Sequence, residues 1–239
     1  MLLAQAQVIV QAEIGKHIGY RFKTRGKDYI LIYDKLRTGK PNYPSCLLCK
    51  PERGNMTHHP QTYPVEIAGL KRELRLFEIK PGLKIAILNI LGDTELVQAC
   101  AKELSKKLEP LDYDVLVTAE AKSIPLAYAL SVETRKPYVV LRKTYKPYMG
   151  AALTAETLSI TTGEPQTLIL DEKDIDLMQG KRVIIADDVI STGSTLQGMR
   201  MILEKAGSTV VAEAAIFTEG DRAQWSNIIS LGHLPLFTE

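Results

Sequence analysis

The stretch Lys181–Arg200, KRVIIADDVISTGSTLQGMR, constrains the fold of this chain more than any other. Val183, Ile184, Ile185 and Ala186 form a continuous apolar run, the pattern of a central parallel strand covered on both faces. Asp187 and Asp188 follow it, where open α/β sheets bind ligands, outside the carboxyl ends of their strands. A loop of small, hydroxyl-bearing residues comes next: Ser191, Thr192, Gly193, Ser194 and Thr195. Leu196, Met199, Ile202, Leu203 and Ala206 then recur at helical spacing and stop at Gly207. The free N–H groups and positive dipole end at the start of such a helix make a phosphate site. The stretch therefore predicts acceptors for sugar hydroxyls beside a phosphate cradle.

An apolar lead, two acids, two apolar residues and a small-Thr-Gly-x-Thr loop resemble the 5-phosphoribosyl-1-pyrophosphate (PRPP) motif of the type I phosphoribosyltransferases, matched at every position from Val183 to Thr195. A strand followed by an N-capping Asp would use some of the same residues. So would the acidic pocket of a receiver domain, but that needs its acids near the domain start, and these stand in the last third of the chain. By the resemblance, Asp187 and Asp188 are the catalytic acids and hold the ribose 2- and 3-hydroxyls. Ser191, Thr192, Gly193, Ser194 and Thr195 hold the 5-phosphate.

Two further stretches agree, because both follow expected strands at the same sheet edge. Ala119, Glu120, Ala121, Lys122 and Ser123 form a small-residue loop entering a helix, suited to cradling a diphosphate. They resemble the pyrophosphate loop of adenine phosphoribosyltransferases, with Lys122 and Ser123 replacing Arg and Gly; lysine keeps the charge without the bidentate fork. Arg142, Lys143 and Lys146 resemble the basic segment that neutralises the leaving pyrophosphate. A long polar stretch, Met149–Leu170, then reads as a lid, in the resembling family a hairpin that folds over PRPP. Ser159–Gly163 departs from the Glu and Tyr that adenine-specific relatives carry there.

The resemblance spans roughly 63–237 and is closest to adenine phosphoribosyltransferases and related purine enzymes. It implies transfer of a 5-phosphoribosyl group from PRPP to a purine, adenine favoured, with xanthine, hypoxanthine and guanine open. It also implies Mg2+ bound mainly through PRPP, with no metal site of the protein's own, a homodimer, and a hood over the base in which Val65–Leu76 faces the purine. A PRPP- or nucleotide-sensing regulator on the same fold is the alternative.

The expected architecture is α/β, a mostly parallel sheet with helices on both faces. Strands are expected at 84–90, 114–118, 138–141, 167–170, 183–186 and 209–217, and helices at 94–108, from 123 to 130 and after the PRPP loop. A hood is expected at about 63–82, a core at 83–239, and an N-terminal extension at 1–55. That extension holds ten Lys or Arg against four acids, whereas 56–239 carries a net charge of −4. It lacks aromatic interleaving or a nucleic-acid module, so a solvated basic face is the preferred reading over nucleic-acid contact. Ala6–Ile14 reads as strand or short helix, Tyr29–Tyr33 as strand. Glu52–Asn55 before Met56 is compatible with a ribosome-binding tract ahead of a start codon, so residues 1–55 are also open to being a mis-assigned start.

No apolar run reaches the length of a membrane span, and the N-terminus makes a poor signal peptide. Three cysteines do not make a disulfide framework. A cytoplasmic location is expected. Cys46, Cys49, His58 and His59 together hold enough ligands for zinc, but adjacent histidines on an extended chain point apart, and ordinary loop residues are the preferred reading.

Overall fold

The computed structural model describes the backbone of residues 7–14, 17–24, 27–34, 61–158 and 165–238, with side chains at 61–156 and 167–238. The chain divides into two compact units, Met1–His59 and Pro60–Glu239. In the first, β1 (Gln7–Ile14), β2 (His17–Thr24) and β3 (Lys27–Asp34) form an antiparallel sheet in that order. The first segment is therefore strand rather than helix, YILIY lies within β3, and β2 is additional to the sequence reading. Cys46, Cys49, His58, His59 and Glu52–Asn55 lie outside the described residues.

The second unit opens with a hairpin of β4 (Thr62–Ile67) and β5 (Leu70–Lys80). Its two-residue turn, Ala68–Gly69, has positive φ at both positions (50° and 76°), the conformation that matches strand twist. β6 (Leu83–Ile87) adds to β5, and α1 (Thr94–Leu108) follows. Asp93 caps α1 by accepting from the Leu96 amide at 3.2 Å. Arg72 of β5 donates to the same carboxylate through Nε at 2.7 Å and Nη2 at 3.0 Å, which fixes the hairpin to the start of the helix.

The core continues through β7 (Val115–Ala119), α2 (Ile124–Thr134), β8 (Tyr138–Leu141), β9 (Leu153–Leu158), β10 (Pro165–Leu170), α3 (Glu172–Met178), β11 (Arg182–Ile190), α4 (Ser194–Lys205), β12 (Thr209–Glu219) and β13 (Ile229–Leu234). Its five-stranded sheet runs β13-β12-β11-β7-β8, every pair parallel. The apolar run of β11 is buried on both faces. Ile184 and Ala186 pack with Leu104 of α1 and Leu126 and Leu130 of α2, while Val183 and Ile185 pack with Met199, Ile202 and Leu203 of α4. Helices thus cover both faces, as in the expected α/β class. Across one face, Arg200 of α4 grips the buried Glu213 of β12 at 2.5 and 2.6 Å. Among the described residues no helix is long and apolar enough to cross a membrane.

The chain returns to close the first sheet. β14 (Phe237–Thr238) pairs with β6, giving the order β14-β6-β5-β4, and the Phe237 ring meets Tyr63 edge-on at 5.0 Å. The hood expected at about 63–82 spans β4 and β5, and β6 and β14, placed by the sequence reading in the core, belong to the same four-stranded sheet.

Three differences from the sequence reading have physical reasons. The long polar stretch before Thr167, which shows no strand pattern of its own and reads as a lid, with the hairpin form only through the resemblance, contains β9, paired with β10 from Leu153↔Leu170 to Leu158↔Pro165. Ala155, Leu168 and Leu170 are buried in the cluster built on α4, so its apolar residues alternate inward despite the Thr- and Glu-rich composition. The segment 159–164 lies outside the described residues. The short helix α3, capped by Asp171, spans too few residues to show a period. Finally, α2 continues past Leu130 to Thr134, ending where Arg135 turns left-handed at φ 56°.

Candidate active site

The carboxyl ends of β7, β8 and β11 open onto one cavity of about 770 Å3. Its walls bring together Ala119, Glu120, Ala121, Lys122 and Ser123 after β7, Arg142, Lys143 and Lys146 after β8, and Asp187, Asp188 and Thr195 from β11 and α4. Residues more than 60 positions apart in sequence meet there because a parallel sheet puts all its carboxyl ends on one side.

Ser123 joins the two acids to the β7 loop. Its buried hydroxyl donates to Asp187 Oδ1 at 2.5 Å, with Asp188 Oδ1 at 3.2 Å. The Asp188 amide also donates to Asp187 Oδ1, at 2.9 Å. Burial, and then the charge of Asp188, push the Asp187 carboxyl up to about 7, while the Ser123 hydrogen bond pulls the other way. Lys122 Nζ lies 3.1 Å from Asp188 Oδ2 and 3.4 Å from the Leu88 carbonyl. The lysine contact lacks hydrogen-bond alignment, so Oδ2 is a buried oxygen with ionic but no hydrogen-bonded satisfaction.

Glu120 ties the two basic regions together. Its Oε2 accepts from the Lys143 amide at 3.0 Å and pairs with Arg142 Nε at 3.2 Å. That backbone bond, followed by the Arg142 contact, holds its carboxyl below the usual range. Arg142 is also held from behind, since its amide and carbonyl exchange hydrogen bonds of 2.8 Å with Ile169 of β10. Lys146 starts the 3-10 turn Pro147–Met149, whose Met149 is fully buried.

The loop Ser191–Thr195 separates two cavities. Gly193 occupies the left-handed N-cap position of α4 at φ 77°, Ser194 and Thr195 stand in the first turn, and Thr192 Oγ1 is 3.2 Å from Ser194 Oγ. Thr195 faces the first cavity, whereas Ser191 and Thr192 face a second of about 650 Å3. The second cavity is walled by Phe77, Ile79, Lys80, Leu83 and Ile85 of the hood, with Glu219, Gly220 and Leu236 opposite. The hood surface beside the loop therefore comes from residues 77–85 rather than from Val65–Leu76. Sequence reasoning missed Glu219 and Trp225. Trp225 covers Gly193 and donates through Nε1 to the Glu219 carbonyl at 2.9 Å. The available signal for Glu219 was an acid at the end of a strand neighbouring β11.

No cluster of three or more His, Cys, Asp or Glu suited to a metal exists among the described residues. Asp187 and Asp188, with the unsatisfied Oδ2, fit a hard cation that takes most of its ligands from a bound phosphate compound and water.

A phosphoribosyl transferase domain model matches residues 87–228, more than half of the chain and every residue named above in the first cavity. The chain belongs to this family. An adenine phosphoribosyltransferase of Thermosipho africanus is 32% identical over 151 residues, 61% of this chain and 85% of that protein. The purine biosynthesis transcriptional repressor PurR of Bacillus subtilis is 30% identical over 141 residues, 57% of this chain and 49% of that protein. Other relatives are named hypoxanthine/guanine and xanthine phosphoribosyltransferases. Among solved structures, adenine phosphoribosyltransferase of Thermoanaerobacter pseudethanolicus superposes with a TM-score of 0.56 at 24% identity, covering 67% of this chain and 95% of that one. That likeness establishes the type I phosphoribosyltransferase fold.

Proposed function

We propose that this chain transfers the 5-phosphoribosyl group of PRPP to a ring nitrogen of a purine, adenine first, and releases pyrophosphate. The observation that carries the reading is the meeting of Asp187, Asp188, Lys122, Arg142, Lys143 and Thr195 around one cavity. The carboxylates accept from the ribose 2- and 3-hydroxyls. Amides and hydroxyls of Ser191, Thr192, Gly193, Ser194 and Thr195 hold the 5-phosphate at the start of α4. Lys122, Arg142, Lys143 and Lys146 surround the pyrophosphate, with the Ala119–Ser123 backbone beneath it. Asp187 and Asp188 would help hold a Mg2+ ion brought in by PRPP, which would supply further charge stabilisation for the leaving group.

In the reaction the C1–O bond breaks, pyrophosphate departs with the electron pair, the ring nitrogen bonds to C1, and the base's N–H proton is released. The chain contributes position and preorganised charge rather than a covalent intermediate. The β9–β10 hairpin beside Arg142 is the segment that would exclude water from the oxocarbenium-like centre. All the cavity residues lie in Pro60–Glu239, so we assign the activity to that unit. A homodimer, expected from the family, is read by light scattering.

The test is pyrophosphate release from PRPP and Mg2+ with adenine, hypoxanthine, guanine and xanthine, using the full chain and a form beginning at Met56. Turnover with adenine at equal rates in both supports the reading. PRPP binding without turnover on any base replaces it with a PRPP-responsive regulator, the reading favoured by the likeness to PurR.

A further inference from the structure

The second cavity contains a group that the mechanism above leaves unused. Glu219, the last residue of β12, is only 7% exposed, and its carboxyl has no hydrogen-bond partner among the described residues. Its carboxyl oxygens are not among the sealed unsatisfied atoms of the described residues, so they open into the cavity, where a ligand can reach them. Opposite it, Phe77 and Ile79 of the hood are 54% and 44% exposed, unusual for large apolar side chains on a packed sheet. Ser191 and Thr192 of the phosphate loop form the edge of the same cavity. An apolar wall, a buried hydrogen-bond acceptor and a neighbouring phosphate loop together describe a pocket for a flat heteroaromatic ring joined to a sugar phosphate.

Resting on the function proposed above, we infer that Glu219 selects the acceptor base: its carboxyl takes hydrogen from the exocyclic amino group of an aminopurine, adenine or guanine, and rejects a purine bearing a carbonyl oxygen at that position. A carboxyl group has two oxygens side by side. One accepts from the amino group. The other, ionised, accepts from the N1–H of guanine, whereas a carboxylate has no hydrogen to offer a carbonyl oxygen. A purine with a carbonyl at the contacted carbon sets oxygen against oxygen and leaves the buried acceptor unpaired, which is how polar pockets discriminate strongly. Burial raises the pKa of Glu219 while the charge of Lys122 lowers it.

The experiment is equilibrium binding of AMP, IMP, GMP and XMP to the full chain, with ribose 5-phosphate as the control that reports the phosphate loop alone. AMP against IMP changes only the 6-substituent, and GMP against XMP only the 2-substituent. The unmodified chain is expected to favour the amino member of at least one pair by about tenfold or more. Glu219→Leu should bring that ratio to within about twofold while ribose 5-phosphate affinity is unchanged. If the leucine variant fails to fold, Glu219→Gln replaces it, with the ratio expected to fall to about threefold. No amino preference in the unmodified chain, binding of none of the four nucleotides, or a preference that survives both substitutions overturns the role of Glu219. Ribose 5-phosphate binding decides separately whether the PRPP-site reading stands.

Discussion

Trp225 and Gly193 are in such close contact that a Cβ added to the glycine would lie 2.8 Å from Cη2 of the indole. The same indole donates to the Glu219 carbonyl, so one side chain sets the distance between the phosphate loop and the end of β12. Gly193→Ala meets both this ring and an unfavourable φ of 77°. The left-handed conformation alone costs roughly 1–2 kcal/mol, about 2–8 °C in melting temperature for a unit of this size. Calorimetry should show that drop, together with at least tenfold weaker ribose 5-phosphate binding. Trp225→Ala combined with Gly193→Ala should recover part of the stability, because only the steric half of the problem is removed.

Asp188→Ala removes an acceptor for the ribose hydroxyls and the partner of Lys122. The expected result is a fall in kcat/KM for PRPP of about 100-fold or more, with an unchanged circular dichroism spectrum. Full activity in this variant would refute the assignment.

Asp187 gives the site a pH dependence. Its folded pKa of about 7 lies above the ordinary carboxylate value, so the ionised form that accepts from a hydroxyl appears only as pH rises through about 7. PRPP affinity at saturating Mg2+ should therefore rise between pH 6 and 8. Asp187→Asn should flatten that part of the profile, leaving only the titration of PRPP itself. Ser123→Ala removes a bond that favours the ionised form and should move the midpoint upward. The same shift has a stability consequence. The protonated acid is the form the fold favours, so its contribution is complete below the unfolded pKa and declines as pH rises through about 7.

Arg200 offers a test away from the ligand. Its removal leaves the buried Glu213 carboxylate without its bidentate partner. Arg200→Ala should lose about 1–3 kcal/mol, read as a lower melting temperature, with KM for PRPP unchanged.

Much of this organisation was legible in the sequence where local pattern and tertiary demand coincide. Thr94–Leu108 runs to the expected bounds because Leu96, Val97, Cys100, Leu104 and Leu108 make one apolar face and Asp93 supplies the cap. The stretch Val183–Thr195 could be placed because each of its residue types has a separate local reason to be there. The β9 strand was hidden by its polar outward residues, and its inward alternation matters only once α4 lies beneath it. Glu219 was hidden for a different reason. An acid at a strand exit is ordinarily solvated, and here it is enclosed by hood residues well over a hundred positions earlier in the chain. Trp225 shows the same limit, since nothing adjacent to it in sequence announces Gly193.

The strand order also dictates the sequence in which this molecule can be assembled on the ribosome. Leu116 pairs on one side with Tyr138 of β8, which follows after a single helix, and on the other with Ile184, 68 residues later. A nascent chain ending near residue 150 already contains the basic half of the first cavity on β7, α2 and β8, yet its central strand has one edge bare. Long-range parallel pairing is slow to form, because a large loop must close before any contact rewards it. The acids therefore arrive after the basic residues, on the strand that joins β7 to the β12 and β13 side of the sheet, and a chain stalled before β11 emerges would hold Lys122 and Arg142 without the carboxylate pair.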